Sequence, residues 1–359
     1  MFRSIHFNLF LRACLPVTMF LGLLMVGCAP KEPPLPTELI LYNWVDYMPQ
    51  SVMDAFAKEF GINVKVVNYE SQEEAFDNIQ AGNIYDLVVI KPEFIPEMAE
   101  QNQLTAIDYK QVPNFKNVSA NFRDLAFDPG NQFTIPFHWG TTGLLLRTDL
   151  VDRPIKRWSD LWDPAFAGKV GVWPIPDSLI PITLKMLGHS ANSEDPAEME
   201  EVRQALIQLK ANAIVIPNTN ATVVPMLESG EVMIGFGWAY DAILAQDSSL
   251  PIQYIIPEEG TMLWTDYFCI PANAANPRGA ELFLNFILRP EIAAQIVNES
   301  YYPMAVDGMD EFLLPEIMNN PVIFPDNAQM QNAEIILPTH KIRKPIYDDV
   351  WASFTGNNP

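Results

Sequence analysis

Two α/β units, each a mostly parallel sheet flanked by helices, are the fold the sequence predicts. Three observations point there. Between residues 39 and 90, short apolar runs alternate with helical stripes in β-α-β-α-β order. A second series of the same kind runs from residue 169 to residue 238. The chain has 359 residues, enough for two cores of ordinary size.

In the first series, residues 39–44 (LILYNW) read as a strand. Residues 51–60 follow with apolar Val52, Ala55, Phe56 and Phe60, a helical stripe stopped by Gly61. Residues 62–69 (INVKVVNY) form the next strand. Ser71 with Glu74 makes a capping box that opens a helix ending near Gly82. Residues 85–90 (YDLVVI) read as a buried strand. In the second series, residues 169–173 are a short strand and residues 178–187 and 196–210 are helical. Residues 214–216 are a strand, 222–229 a helix ended by Gly230, and 232–238 (VMIGFGW) another strand. Open α/β sheets bind ligands at the carboxyl ends of their strands. That rule singles out the residues after LILY, YDLVV, MIGFG and TMLW.

The amino-terminal residues set the compartment. Arg3, His6 and Arg12 precede an apolar run ending at Val26 (ACLPVTMFLGLLMV). This is the pattern of a secretory signal over residues 1–27, too short for a convincing membrane span. Met25-Val26-Gly27-Cys28 resembles a lipoprotein cleavage box, which would make Cys28 a lipidated first residue. The alternative is an ordinary signal cut nearby. Residues 28–37 then form an extended, Pro-rich tether. The expected location is periplasmic or otherwise extracytoplasmic, with a lipid anchor at Cys28. No disulfide is expected, because Cys14 leaves with the signal and Cys269 sits in an apolar stretch as an inert buried thiol.

The net charge is −22, with 44 acidic residues against 22 Lys and Arg. Loss of Arg3 and Arg12 with the signal makes the remainder more negative. Such a chain repels nucleic acid and attracts cations, or simply gains solubility. No G-x-S-x-G elbow, Walker loop or G-x-G-x-x-G is present. Beyond the signal the only histidines are His138, His189 and His340, without metal-site spacing. No cofactor, metal or catalytic residue is therefore expected.

One combination recurs at the predicted strand ends, an aromatic residue beside an aspartate. It occurs at Trp44, Asp46 and Tyr47, at Trp238, Tyr240 and Asp241, and at Trp264, Asp266 and Tyr267. Ammonium groups suit this pairing. Carboxylates supply charge-assisted hydrogen bonds, and indole faces supply cation–π attraction and apolar contact. Three separated carboxylates suit a molecule with several amines along an alkyl chain. The plainer alternative makes each tryptophan a core residue and each aspartate a turn or helix cap.

These residues also carry a resemblance. From Leu39 to about Trp351, the chain is similar to the periplasmic spermidine/putrescine (polyamine)-binding proteins of bacterial ABC transporters. The specific stretches are Tyr42-Asn43-Trp44-Val45-Asp46-Tyr47, Tyr85-Asp86-Leu87-Val88-Val89, Ile135-Pro136-Phe137-His138-Trp139-Gly140, Trp158-Ser159-Asp160-Leu161-Trp162, the pair of 257–260 and 264–266, and Ile270-Pro271-Ala272-Asn273-Ala274. The resemblance implies a two-lobed solute-binding fold of type II, with two hinge crossovers. Lobe 1 would hold residues 38–138 and 267–303, and lobe 2 residues 139–266 and 304–359. It implies ligand-binding roles for Trp44, Asp46, Tyr47, Trp238, Asp241, Trp264, Asp266 and Tyr302. It implies a monomer that delivers putrescine- or spermidine-like cations to an ABC permease. A sensor that docks on a membrane signalling receptor is the alternative, and an exported enzyme the remote one.

The chain departs from that pattern in three places. After YDLVV the family commonly places a small hydroxyl residue, and here the segment is Ile90-Lys91-Pro92-Glu93. A lysine facing the cleft repels an ammonium group unless it pairs with Glu93 or points away. Where the family often has two acids for the far amine, residues 174–178 (PIPDS) offer only Asp177. Ile336 stands where some spermidine binders have a glutamine. Lys91, Glu93 and Asp177 are thus further candidate ligand-binding residues.

Overall fold

The apolar run LILYN becomes strand β1 (Glu38–Asn43) and the stripe after it becomes helix Gln50–Phe60. That helix buries Val52, Met53 and Phe56 and stops at Gly61, whose φ of 70° lets its N–H close on Ala57 O. Strand β2 (Asn63–Asn68) and strand β3 (Leu87–Ile90) lie parallel on either side of β1. Between them, Ser71 caps helix Gln72–Gln80 by accepting the Glu74 N–H. The reciprocal arm of the expected capping box lands one residue early: Glu74 accepts from Glu70 N–H. The computed structural model describes residues 35–173, 175–216, 222–245, 249–338 and 343–356. The expected signal, Cys28 and the tether up to residue 34 lie outside the described residues, as does His340.

Beyond the short β4 (Leu104–Thr105), the chain enters β5 (Thr134–Arg147), a fourteen-residue strand. The second series follows as β6 (Val170–Val172), helices Pro176–Leu187 and Pro196–Leu209, β7 (Ala213–Val215), helix Val224–Ser229 and β8 (Ile234–Trp238). After β9 (Ile252–Ile255) comes β10 (Met262–Pro271), then helices Pro277–Ile287 and Pro290–Ser300, β11 (Glu334–Ile335) and helix Arg343–Thr355.

Two strands carry the chain between the lobes. The main sheet order is β2-β1-β3-β10-β5-β8-β6-β7. The outer members of each half are parallel, whereas β5 and β10 run antiparallel to each other and to β3 and β8. The pairing of β10 with β5 shifts between Thr265 and Tyr267. There the single residue Asp266 faces two residues of β5, Phe137 and His138. The sequence reading ended this strand at TMLW, but it runs on to Pro271 because both its faces are buried. Alternation, the usual mark of a strand, is then absent.

Each half has its own core. In the first, Phe56 packs edge-on against Phe283 at 5.0 Å and near Phe286 at 5.5 Å, with Leu41, Val89 and Phe268 from the sheet. The second gathers Trp158, Trp173, Phe236 and Leu206, closed by Tyr347, Val350 and Phe354 of the last helix. Met304, Val306, Met309, Leu313, Ile317 and Ile323 join the first core. The sequence reading assigned that stretch to lobe 2. The chain thus makes a third, irregular passage after Ile323 to deliver its last helix to the second core. Glu334 secures this passage by accepting from Lys185 Nζ (2.8 Å) and Ala191 N–H (3.1 Å). Among the described residues, no helix is long and apolar enough to cross a membrane.

Asp86 ties the first lobe together from a buried position. One oxygen accepts from Ile40 N–H at 2.7 Å and the other from Asn276 N–H at 2.6 Å, at the start of helix Pro277–Ile287. Removing the carboxylate leaves two backbone donors without partners. Asp86→Ala is expected to lower the unfolding free energy by about 3 kcal/mol, measured by denaturant titration at neutral pH.

Candidate functional site

The loop after β1 has a fixed conformation. Asn68 Nδ2 donates to the carbonyls of Asn43 (3.2 Å) and Trp44 (3.0 Å) and fixes the turn. Asp46 then takes a φ of 60°, a left-handed conformation that Asp tolerates better than most residues. Trp44 rests on Tyr69 at 4.6 Å, and Tyr69 donates to Val89 O at 2.6 Å. His138, buried in β5, stands between two carbonyls. Its Nε2 is 3.1 Å from Tyr47 O and its Nδ1 3.3 Å from Pro303 O. Burial pushes this imidazole down to about 4, against the pull of the backbone carbonyls. His138 therefore stays neutral and couples the Tyr47 loop to the segment that carries Tyr302.

Tyr302 is the hub of an aromatic group drawn from both lobes. Its ring lies 4.7 Å from Tyr47, 4.3 Å from Tyr240 in a stacked arrangement, and 6.1 Å from Trp264 edge-on. Trp264 packs so closely on Gly140 that a Cβ there would stand 2.4 Å from the indole. The Trp264 Nε1 atom is enclosed without a hydrogen-bond partner. Trp238 lies apart from this hub, stacked on the buried Trp173 at 4.4 Å, so one of its faces belongs to the second core.

The carboxylates divide by environment. Asp266 is 3% exposed. Burial pushes it up to about 6, opposed by the Lys91 charge and a hydrogen bond from Tyr47, with Glu93 adding to the rise. The Tyr47 phenol is itself held well above its ordinary value by burial and by Asp266, so it remains a donor. Glu93 is also pushed up by burial, opposed by Lys91, with Asp177 and Glu73 raising it further. Its Oε2 is enclosed with no hydrogen-bond partner. Asp177, on the first turn of helix Pro176–Leu187, is exposed yet its charge acts on Glu93.

Asp241 is 2% exposed, and its Oδ2 accepts the Trp238 N–H at 2.9 Å. Half of its capacity is therefore spent as a cap, the plainer role for such a residue. Burial nevertheless lifts it to about 7. Asp46 is exposed. The charges of Asp46 and Asp241 both raise Tyr240 and Tyr302, so the two acids approach one aromatic pair.

The structure thus brings Trp44, Tyr47, Trp264, Asp266 and Tyr302 into one neighbourhood with Lys91 and Glu93. Asp46 and Asp241 reach it through the tyrosines. Ile336 is bound to Leu263 O through its N–H (2.9 Å) and packs on the second core. Of the residues packed around these side chains, Tyr69, His138 and Trp173 escaped the sequence reading of the site; Trp173 carried a signal, because it follows the end of β6.

A match to the family described as bacterial extracellular solute-binding protein spans residues 51–325. The chain belongs to this family. The solute-binding protein is 32% identical over 316 residues to the spermidine/putrescine-binding periplasmic protein of Escherichia coli (strain K12). That match covers 87% of this chain and 90% of the relative. It is 28% identical to the putrescine/agmatine-binding protein of Pseudomonas aeruginosa, covering 80% and 83%. Its fold superposes on a spermidine/putrescine ABC transporter substrate-binding protein of Streptococcus pneumoniae with a TM-score of 0.81 at 27% identity. There 90% of this chain and 99% of the other are covered. The two-lobed, type II architecture expected from the sequence is the one this solute-binding protein adopts.

Ionising Asp241 is harder in the folded protein than in the unfolded chain. Stability is therefore fullest while the group is protonated, and falls as pH rises from the ordinary Asp value near 4 through about 7. Asp241→Asn keeps an acceptor for the Trp238 N–H and removes the titration. The Tm of the ligand-free variant, relative to wild type, should climb between pH 4 and 7 and then level off. A pH-independent difference in thermal melts would contradict this.

Proposed function

We propose that this chain captures a small polyamine between its lobes and delivers it to a membrane permease. The observation that carries the reading is a pair of electrostatically coupled carboxylates, Asp266 buried on the crossing strand β10 and Glu93 just past the end of β3, with Glu93 Oε2 enclosed and unpartnered. An enclosed acceptor costs free energy until a donor reaches it. A protonated amine is that donor, and its methylenes would lie against Trp264, Tyr302 and the free face of Trp238. The relatives' names, which specify spermidine, putrescine and agmatine, support the same ligand class.

In this reading Asp266 neutralises the nearer amine, and Asp46 or Asp241 takes a terminal one. Trp44 and Tyr47 close the lobe 1 side of the cleft. Contacts made from the second lobe stabilise the closed form, so ligand binding and closure are one equilibrium. The protein acts as a carrier, not an enzyme. It works outside the cytoplasm, as a monomer, held at the membrane by a lipid on Cys28.

Two measurements test the site. Asp266→Asn should weaken putrescine or spermidine binding at least tenfold in calorimetry, because a neutral amide cannot offset a desolvated ammonium. Unchanged affinity removes Asp266 from the site. Wild-type affinity should also fall as pH drops below about 6, where Asp266 takes up a proton. A flat profile between pH 5 and 8 would speak against an ionic contact there.

A further inference from the structure

The register of β3 against β10, continued one residue past the end of β3, indicates where Lys91 points. Ile90 pairs with Tyr267, Val89 with Phe268 and Val88 with Cys269. One step further along the same antiparallel register sets Lys91 opposite Asp266. Residues directly opposite in such a pair project from the same face, with Cβ atoms about 5 Å apart. The Lys91 backbone is pinned there. Its N–H donates to Gln72 Oε1 at 2.9 Å, and the buried Gln72 in turn donates to the Tyr69 hydroxyl at 3.0 Å. Lys91 therefore does not point away from the cleft, and its charge acts on Asp266 and on Glu93 alike.

Among the described residues, Lys91 makes no direct ion pair with either carboxylate. Its ammonium lowers the charge of the pair without occupying the hydrogen-bonding positions of Glu93 Oε2. The subsite thus offers open acceptors but a net charge of one negative unit rather than two. A ligand ammonium is still drawn in. Each additional positive charge on the ligand meets Lys91 with less carboxylate to offset it.

We propose that Lys91 is a resident cation of the binding cleft that sets ligand choice by charge, favouring diamines over triamines. The proposal rests on the polyamine reading above and names the member of that class. Lys91→Met keeps the alkyl stem and removes the charge, and Lys91→Arg keeps a charge. Calorimetry at pH 7.5 with putrescine and spermidine compares them with wild type. Lys91→Met should gain at least tenfold in spermidine affinity and clearly less for putrescine, while Lys91→Arg keeps the wild-type preference. Equal gains for both amines, no gain, or an Arg variant that behaves like the Met variant would overturn the charge role of Lys91 and leave the polyamine reading standing. If neither wild type nor Lys91→Met binds either amine, both readings fail together.

Discussion

Burying a carboxylate whose charge its surroundings only partly offset is the constraint around which this site is organised. Asp266 is nearly inaccessible, set on β10 between Thr265 and the aromatic Tyr267 and within reach of the charges of Lys91 and Glu93. The Lys91 charge and the Tyr47 phenol offset part of the cost of its charge, and its affinity for protons still rises. A residue serving only stability would be apolar here, since well-packed hydrophobic side chains match or exceed buried ions. Keeping the acid stabilises nothing in the free protein. It makes the free energy of the cleft depend on what enters it.

The position of Asp266 in the fold gives that dependence a mechanical reach. It belongs to β10, one of two strands shared by the lobes, at the point where the ladder with β5 slips by one residue. The extra residue on β5 places His138 between the Tyr47 and Pro303 carbonyls. Tyr302 adjoins Pro303 and touches both Tyr47 of the first lobe and Tyr240 of the second. A cation drawn to Asp266, as proposed, would therefore act at the junction of three segments whose geometry is shared. Local neutralisation and the relation between lobes are linked through packed rings and a bulge, both of which have few alternative arrangements.

Much of this architecture was legible in the sequence, because the two parallel units sit where periodicity changes cleanly. LILYN is a short apolar run, and Val52, Phe56 and Phe60 recur at helical spacing before Gly61. The crossing strands were not legible as such, since residues buried on both faces show no alternation. Asp266 and Trp264 stood out because acids and indoles are an unusual pairing. Tyr69 and His138 did not, since nothing in their local sequence tells that the fold will turn them toward the same cleft. Asp241 was ambiguous between a ligand contact and a cap, and one of its oxygens does cap. The orientation of Lys91 depends on a ladder register between strands some 180 residues apart in the chain, which no local pattern encodes.

Lys91 and Glu93 make sense only as a pair. Lys91 opposite Asp266, without Glu93, would neutralise the one deeply buried acid on β10 and leave an ammonium ligand little to gain. Glu93 without Lys91 would set two like charges near each other, and each would push the other's affinity for protons up. Together they keep both acids closer to ionisation while limiting how much positive charge the subsite tolerates. Pro92 between them matters to this arrangement. It follows the end of β3 at Ile90, where the chain leaves the sheet and turns into helix Ile95–Glu100, with Glu93 in electrostatic reach of Asp266. The departure at residues 91–93 therefore reads as one compensated change in charge, made where the strand ends and the backbone is free to turn.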